Sequence, residues 1–137
     1  MRKYLIATHG TFAGGIKSSL DIILGESETI NLIEAYTETN KSLQEDIEEV
    51  MKQLIPEDEL IVFTDLLGGS ITNQILQFGL RENVFIVAGI NLPLLLDIML
   101  ADSETPINEV IENGIENARE QMVFVNKLIN STKENYD

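Results

Sequence analysis

Short apolar runs alternate along the chain with stretches whose apolar positions recur every three or four residues. Residues 4–9 form the first strand-length run, and residues 12–24 follow as a predicted helix with Phe12, Ile16, Leu20 and Ile23 on one side. Gly25 is its stop signal. Residues 29–35 form a weaker strand whose polar alternation suits a sheet edge. Ser42, with Glu45 three residues on, has the capping-box spacing and opens a second helix. That helix carries Leu43, Ile47, Val50, Met51 and Leu54, and must end before Pro56.

Residues 60–64 are almost continuously apolar, as expected of a strand covered on both faces. A third helix is predicted over 70–80, opened by Ser70 and closed near Gly79, and residues 84–88 form another apolar strand. Pro93 falls at the first position of a helix over 94–100. Pro106 opens a last helix to about residue 118, residues 122–125 have the composition of a short final strand, and the polar tail from Asn130 is expected to fray. The alternation of strands and helices predicts one open, mainly parallel, doubly wound α/β sheet with helices on both faces. With no repeat or linker, residues 1–130 read as one domain and 131–137 as a tail.

Strand order follows from burial. The alternating second strand belongs at an edge and the apolar strands inside, and the order 2-1-3-4 provides this with right-handed crossovers. That order reverses direction between strands 1 and 3, and ligands of open α/β sheets bind at such switch points, outside the carboxyl ends of the strands. His9 ends the first strand and Asp65 follows the third. The two are therefore expected to face each other.

Composition narrows the chemistry that could occur there. The 137 residues include no cysteine and one histidine, which excludes disulfides, thiolate chemistry and a multi-histidine metal site within one chain. Nine basic and 23 acidic residues leave a net charge of −14, which repels nucleic-acid phosphates and anionic membranes and attracts a basic partner. No apolar run approaches the roughly 20 residues of a membrane span, and the start of the chain lacks a signal-peptide pattern, so a cytoplasmic protein is expected. No cofactor or metal is expected.

A lone histidine is commonly a surface or core residue, but His9 ends a buried strand and precedes Gly10, which lets a partner approach the backbone. A neutral imidazole is a nucleophile, and a carboxylate on one ring nitrogen fixes the tautomer that leaves the other free to attack. Asp65 is placed to be that carboxylate. Behind it, Gly68 and Gly69 can turn backbone N–H groups towards an anion, while Ser70 and Thr72 add hydroxyl donors at a helix start. Residues 11–15 open the first helix towards the same crevice without a dinucleotide or phosphate-loop fingerprint, which disfavours nucleotide binding. The set suits a phosphoryl group in transit.

Three segments carry a family resemblance: Ala7-Thr8-His9-Gly10, the run from Thr64 through Asp65, Gly68, Gly69 and Ser70 to Asn73, and the run from Val87 through Gly89 and Asn91 to Pro93. In order and spacing they resemble the mannose-type enzyme IIA family of the bacterial phosphotransferase system, over essentially the full chain. The resemblance implies that His9 receives a phosphoryl group from the phosphocarrier protein HPr. It passes the group to a histidine of enzyme IIB, which serves the membrane permease components and the transported sugar. It implies that Asp65 pairs with His9, that Ser70 lies at the phosphate site, and that the protein is a homodimer in which residues 122–125 could pair with the other subunit's sheet. A donor subunit of a dihydroxyacetone kinase is a second role the resemblance permits. A receiver-like signalling module phosphorylated on Asp65 would need an acidic cluster at the end of strand 1, where Thr8 and His9 stand instead, and an anion-binding domain would leave His9 and Asp65 unexplained.

Overall fold

The structure, a computed structural model, describes residues 1–38, 42–78 and 81–136. It divides into two compact units, Met1–Leu92 and Pro93–Asp137. The first is a parallel sheet of β1 (Arg2–His9), β2 (Ile30–Ala35), β3 (Glu59–Thr64) and β4 (Val84–Ala88), interleaved with α1 (Phe12–Leu24), α2 (Leu43–Lys52) and α3 (Ser70–Leu76). The order is β2-β1-β3-β4, as the sequence predicts.

Register fixes what lies at the carboxyl edge. His9 pairs with Ala35, Ala7 with Thr64, and Thr64 with Ala88, so β1 and β2 end at one level and β3 and β4 end two residues short of it. Leu5, Ala7, Ile33, Ala35, Leu60 and Val62 bury one face of the sheet against Leu43, Ile47 and Met51 of α2 and Ile71 and Ile75 of α3. The opposite face carries α1, whose start is tied down by Thr8: its buried hydroxyl accepts the Ala13 N–H at 2.8 Å. Helix starts leave N–H groups unsatisfied, and no side chain at the N-cap Thr11 fills that role here. The strand itself therefore supplies the cap, and the turn between His9 and α1 is short and fixed.

Two differences from the expected elements have simple causes. Phe12 and Ile23 are more than half exposed, and the buried stripe of α1 is Ala13, Ile16 and Leu20. At about 100° per residue that i, i+3, i+7 set is the face turned to the sheet. β4 is apolar throughout yet forms the second edge, with only Val84 and Val87 buried, because it has a single neighbour. Ser42 caps α2 as predicted, accepting the Glu45 N–H, whereas the closure of α3 at Gly79 lies outside the described residues.

The second unit holds α4 (Leu92–Leu100), α5 (Ile107–Glu120) and α6 (Val125–Tyr136). A Cβ on Gly114 would stand 2.8 Å from Ile98 Cγ1, so α5 approaches α4 closely at that glycine. Residues 122–125 form no strand: Met122 to Phe124 are irregular and Val125 opens α6. The tail expected to fray from Asn130 is helical to Tyr136. A strand needs a neighbour for its backbone groups, whereas a helix satisfies its own, and within one chain only the helix from Val125 onward forms. No helix among the described residues is long and apolar enough to cross a membrane.

Candidate functional site

His9 and Asp65 meet at the carboxyl edge of β1 and β3. One carboxylate oxygen, Oδ2 of Asp65, stands 2.9 Å from both the backbone nitrogen of His9 and its ring Nδ1. The backbone N–H must donate, so Oδ2 is held in place by the main chain before the ring reaches it. Burial of Asp65 pushes its carboxyl up, but the His9 N–H, the ring bond and the attraction of the imidazole outweigh this and hold it below the usual carboxylate range. At neutral pH Asp65 is therefore ionised and can only accept, which places the ring proton on Nδ1 and leaves the Nε2 lone pair free. The Asp65 side chain is 13% exposed and that of His9 is 41% exposed. The orienting group is thus enclosed while the nucleophile faces outward.

Backbone conformation makes the pair possible. Gly10 has φ +59° and turns its N–H to the Ala35 carbonyl at 2.9 Å, carrying the chain away from β1 in the left-handed region that glycine enters without steric cost. Gly68 does the same at φ +76° in the turn after Asp65. A Cβ on Gly69 would lie 3.7 Å from His9 Cε1, so that backbone runs along the edge of the ring between its two nitrogens. Ser70 begins α3 and is exposed.

Thr72 is placed differently from the outward donor expected. It is buried, lies 2.8 Å from Thr64 Oγ1, and donates its hydroxyl to the Leu66 carbonyl at 2.7 Å. Its hydroxyl fastens the Asp65–Ser70 turn to β3 and is not presented to the crevice. The structure thus gathers His9, Asp65, Gly68, Gly69 and Ser70 at one edge, with Thr72 beneath them.

Tyr36, which the sequence reading did not single out, joins this group. Its ring stands 5.6 Å from the His9 ring, tilted by 36°, and its hydroxyl shares a hydrogen bond with Ser70 Oγ. The signal that could have found it is topological: it follows Ala35, the residue paired with His9. Phe12, Leu66 and Leu67, each next to the site in sequence or turn, are more than half exposed and give its surroundings an apolar surface. The arrangement is chemically an oriented, exposed imidazole beside hydroxyl and backbone donors, suited to taking up and releasing a phosphoryl group.

Comparison with known proteins agrees with this geometry. The family profile described as PTS system fructose IIA component matches residues 3–115. The PTS system fructose-specific EIIA component of Bacillus subtilis (strain 168) is 26% identical over 115 residues, 82% of this chain and 79% of that protein. The mannose-specific EIIAB component of Escherichia coli (strain K12) is 26% identical over 119 residues, and this chain spans only 37% of its length. A Klebsiella pneumoniae crystal structure, described as a candidate phosphoenolpyruvate-dependent sugar phosphotransferase system permease, superposes with a TM-score of 0.88 at 34% identity, covering 93% of each chain. EIIA from Streptococcus agalactiae gives 0.76 at 25% identity, over 93% of this chain and 99% of that one. By the profile match and the fold, the chain belongs to the EIIA-man family, the PTS system fructose IIA components, and is a phosphotransfer component of a sugar phosphotransferase system.

Proposed function

We propose that His9 is the relay residue, taking a phosphoryl group from phospho-HPr and passing it to a histidine of enzyme IIB during coupled sugar uptake and phosphorylation. The observation that carries this is the doubly held Oδ2 of Asp65, which engages Nδ1 of a partly exposed imidazole and leaves Nε2 as the nitrogen with the lone pair. In the acceptance step the Nε2 lone pair forms a bond to phosphorus as the donor's phosphorus–nitrogen bond breaks, its electron pair returning to the donor imidazole. The Nδ1 proton stays between His9 and Asp65, whose carboxylate balances the positive charge the ring acquires. The reverse sequence delivers the group to enzyme IIB. Backbone N–H groups of Gly68 and Gly69 and the Ser70 hydroxyl receive the phosphoryl oxygens, with Thr72 holding their turn.

Such transfer needs in-line placement and stabilisation of spread negative charge more than acid–base work. Donor and acceptor must dock face to face, which the exposure of His9 and its apolar surroundings permits. The chain would act as a homodimer, with its link to the membrane permease components indirect.

The test is incubation with enzyme I, HPr and phosphoenolpyruvate, followed by mapping of the labelled residue. The expected product is an acid-labile, base-stable phosphate on His9, absent from a folded His9→Ala variant. An acid-stable, base-labile adduct on Asp65, or labelling of His9→Ala at the native rate, overturns the assignment.

A further inference from the structure

Tyr36 occupies a backbone conformation that nothing in its own chemistry favours. Its φ is +62°, the left-handed region that bulky L-residues enter only against steric cost, and it is the sole non-glycine residue with positive φ among those described. Such positions persist where surrounding contacts hold them, and they cluster at functional sites. Core packing is not what holds this one, since Tyr36 is 63% exposed. Its contacts are with the site itself: the ring beside the His9 imidazole, and the hydroxyl on Ser70 Oγ.

We propose that Tyr36 is a positioning residue of the phosphoryl site, whose hydroxyl donates to Ser70 Oγ and thereby aims the serine's own proton at the phosphoryl group on His9 Nε2. The proposal rests on the reading of His9 as the phosphoryl carrier. Of the two hydroxyls the phenol is the stronger acid and so the donor of the shared bond. Ser70 has one proton, and once its oxygen accepts from Tyr36 that proton is free to point outward. A hydroxyl that accepts one hydrogen bond is polarised into a better donor of the next. The Gly69 backbone lies along the His9 ring edge at Cε1, the carbon bonded to Nε2, and Ser70 follows it directly in the chain. The tyrosine ring meanwhile flanks the imidazole and limits its rotation away from Asp65. No bond is made or broken at Tyr36.

The experiment is a double-mutant cycle read by the rate of phosphorylation from phospho-HPr. Tyr36→Phe keeps the ring and removes the hydroxyl, and should slow acceptance about three- to tenfold, the range of one ordinary hydrogen bond. Ser70→Ala should slow it at least as much, and the double variant should be no slower than Ser70→Ala alone, because the phenol then has nothing to polarise. Tyr36→Gly should unfold at a denaturant midpoint no lower than the parent protein, since the backbone strain is relieved, while transferring no faster than Tyr36→Phe. Native-rate transfer by Tyr36→Phe, or multiplicative losses in the double variant, overturns the proposal. If the parent protein accepts no phosphoryl group on His9, both the proposal and the reading beneath it fall; if it does and Tyr36→Phe matches it, only Tyr36 is misassigned.

Discussion

At His9 the decisive atom is a carboxylate oxygen two strands away in sequence and 2.9 Å away in space. Replacing Asp65 by Asn keeps the volume but removes the charge that fixes the tautomer and balances the phosphorylated ring. Transfer from phospho-HPr by Asp65→Asn should fall on the order of 10²-fold, the scale of a misplaced reacting group. The same pair makes a pH prediction. The Asp65 carboxyl is lowered in the folded protein, so its contribution to stability is fully present above its unfolded value of about 4 and disappears as pH falls through the lower folded value. The stability difference between the parent protein and Asp65→Asn, measured by denaturant unfolding, should shrink as pH falls below about 4. The His9–Asp65 pairing was legible because strand order alone makes strand ends neighbours. Tyr36 was not, because nothing in its local sequence announces a left-handed residue, and only the register of β1 with β2 brings it to the ring.

Elements were legible where hydrophobic period and capping chemistry agreed, as in α2, whose Ser42 cap and buried Leu43, Ile47 and Met51 match the expected pattern. They were less so where one residue serves two elements. Thr8 ends in the core of β1 yet caps α1, a contact across five residues that no capping signature encodes. Thr72 is read from sequence as a helix-start donor, but the depth of the turn it follows sends its hydroxyl inward to Leu66. Thr72→Val should therefore act through the turn: stability falls by about 1–3 kcal/mol, the cost of leaving the buried Thr64 hydroxyl without its partner. Phosphoryl acceptance should slow as Gly68, Gly69 and Ser70 lose their fixed backing. Calorimetry and the HPr assay check the two effects separately, and a stable variant with unchanged transfer would remove Thr72 from the site.

For the molecule as a whole, 14 net negative charges and a band of exposed apolar residues near the carboxyl end set opposite tendencies. Met122, Val123 and Phe124 are exposed, and Val125, Leu128 and Ile129 follow at helix spacing, all about half exposed or more. A homodimer burying this band should sediment at twice the 15.3 kDa of one chain, and Phe124→Asp should shift it to the monomer. A parent protein that stays monomeric at tens of micromolar would refute the dimer. The final strand predicted for residues 122–125 does not form, because apolar and β-branched composition alone does not make a strand where no sheet neighbour pairs with it. The parallel register has one more consequence. Every residue of the candidate site lies at or beyond the ends of the strands, so the edge where they begin is remote from it. Glu57, exposed just before β3 on that edge, belongs to a chain without cysteine. A single Glu57→Cys substitution would give the protein one thiol, at which a fluorophore or surface tether could report on docking without touching the chemistry.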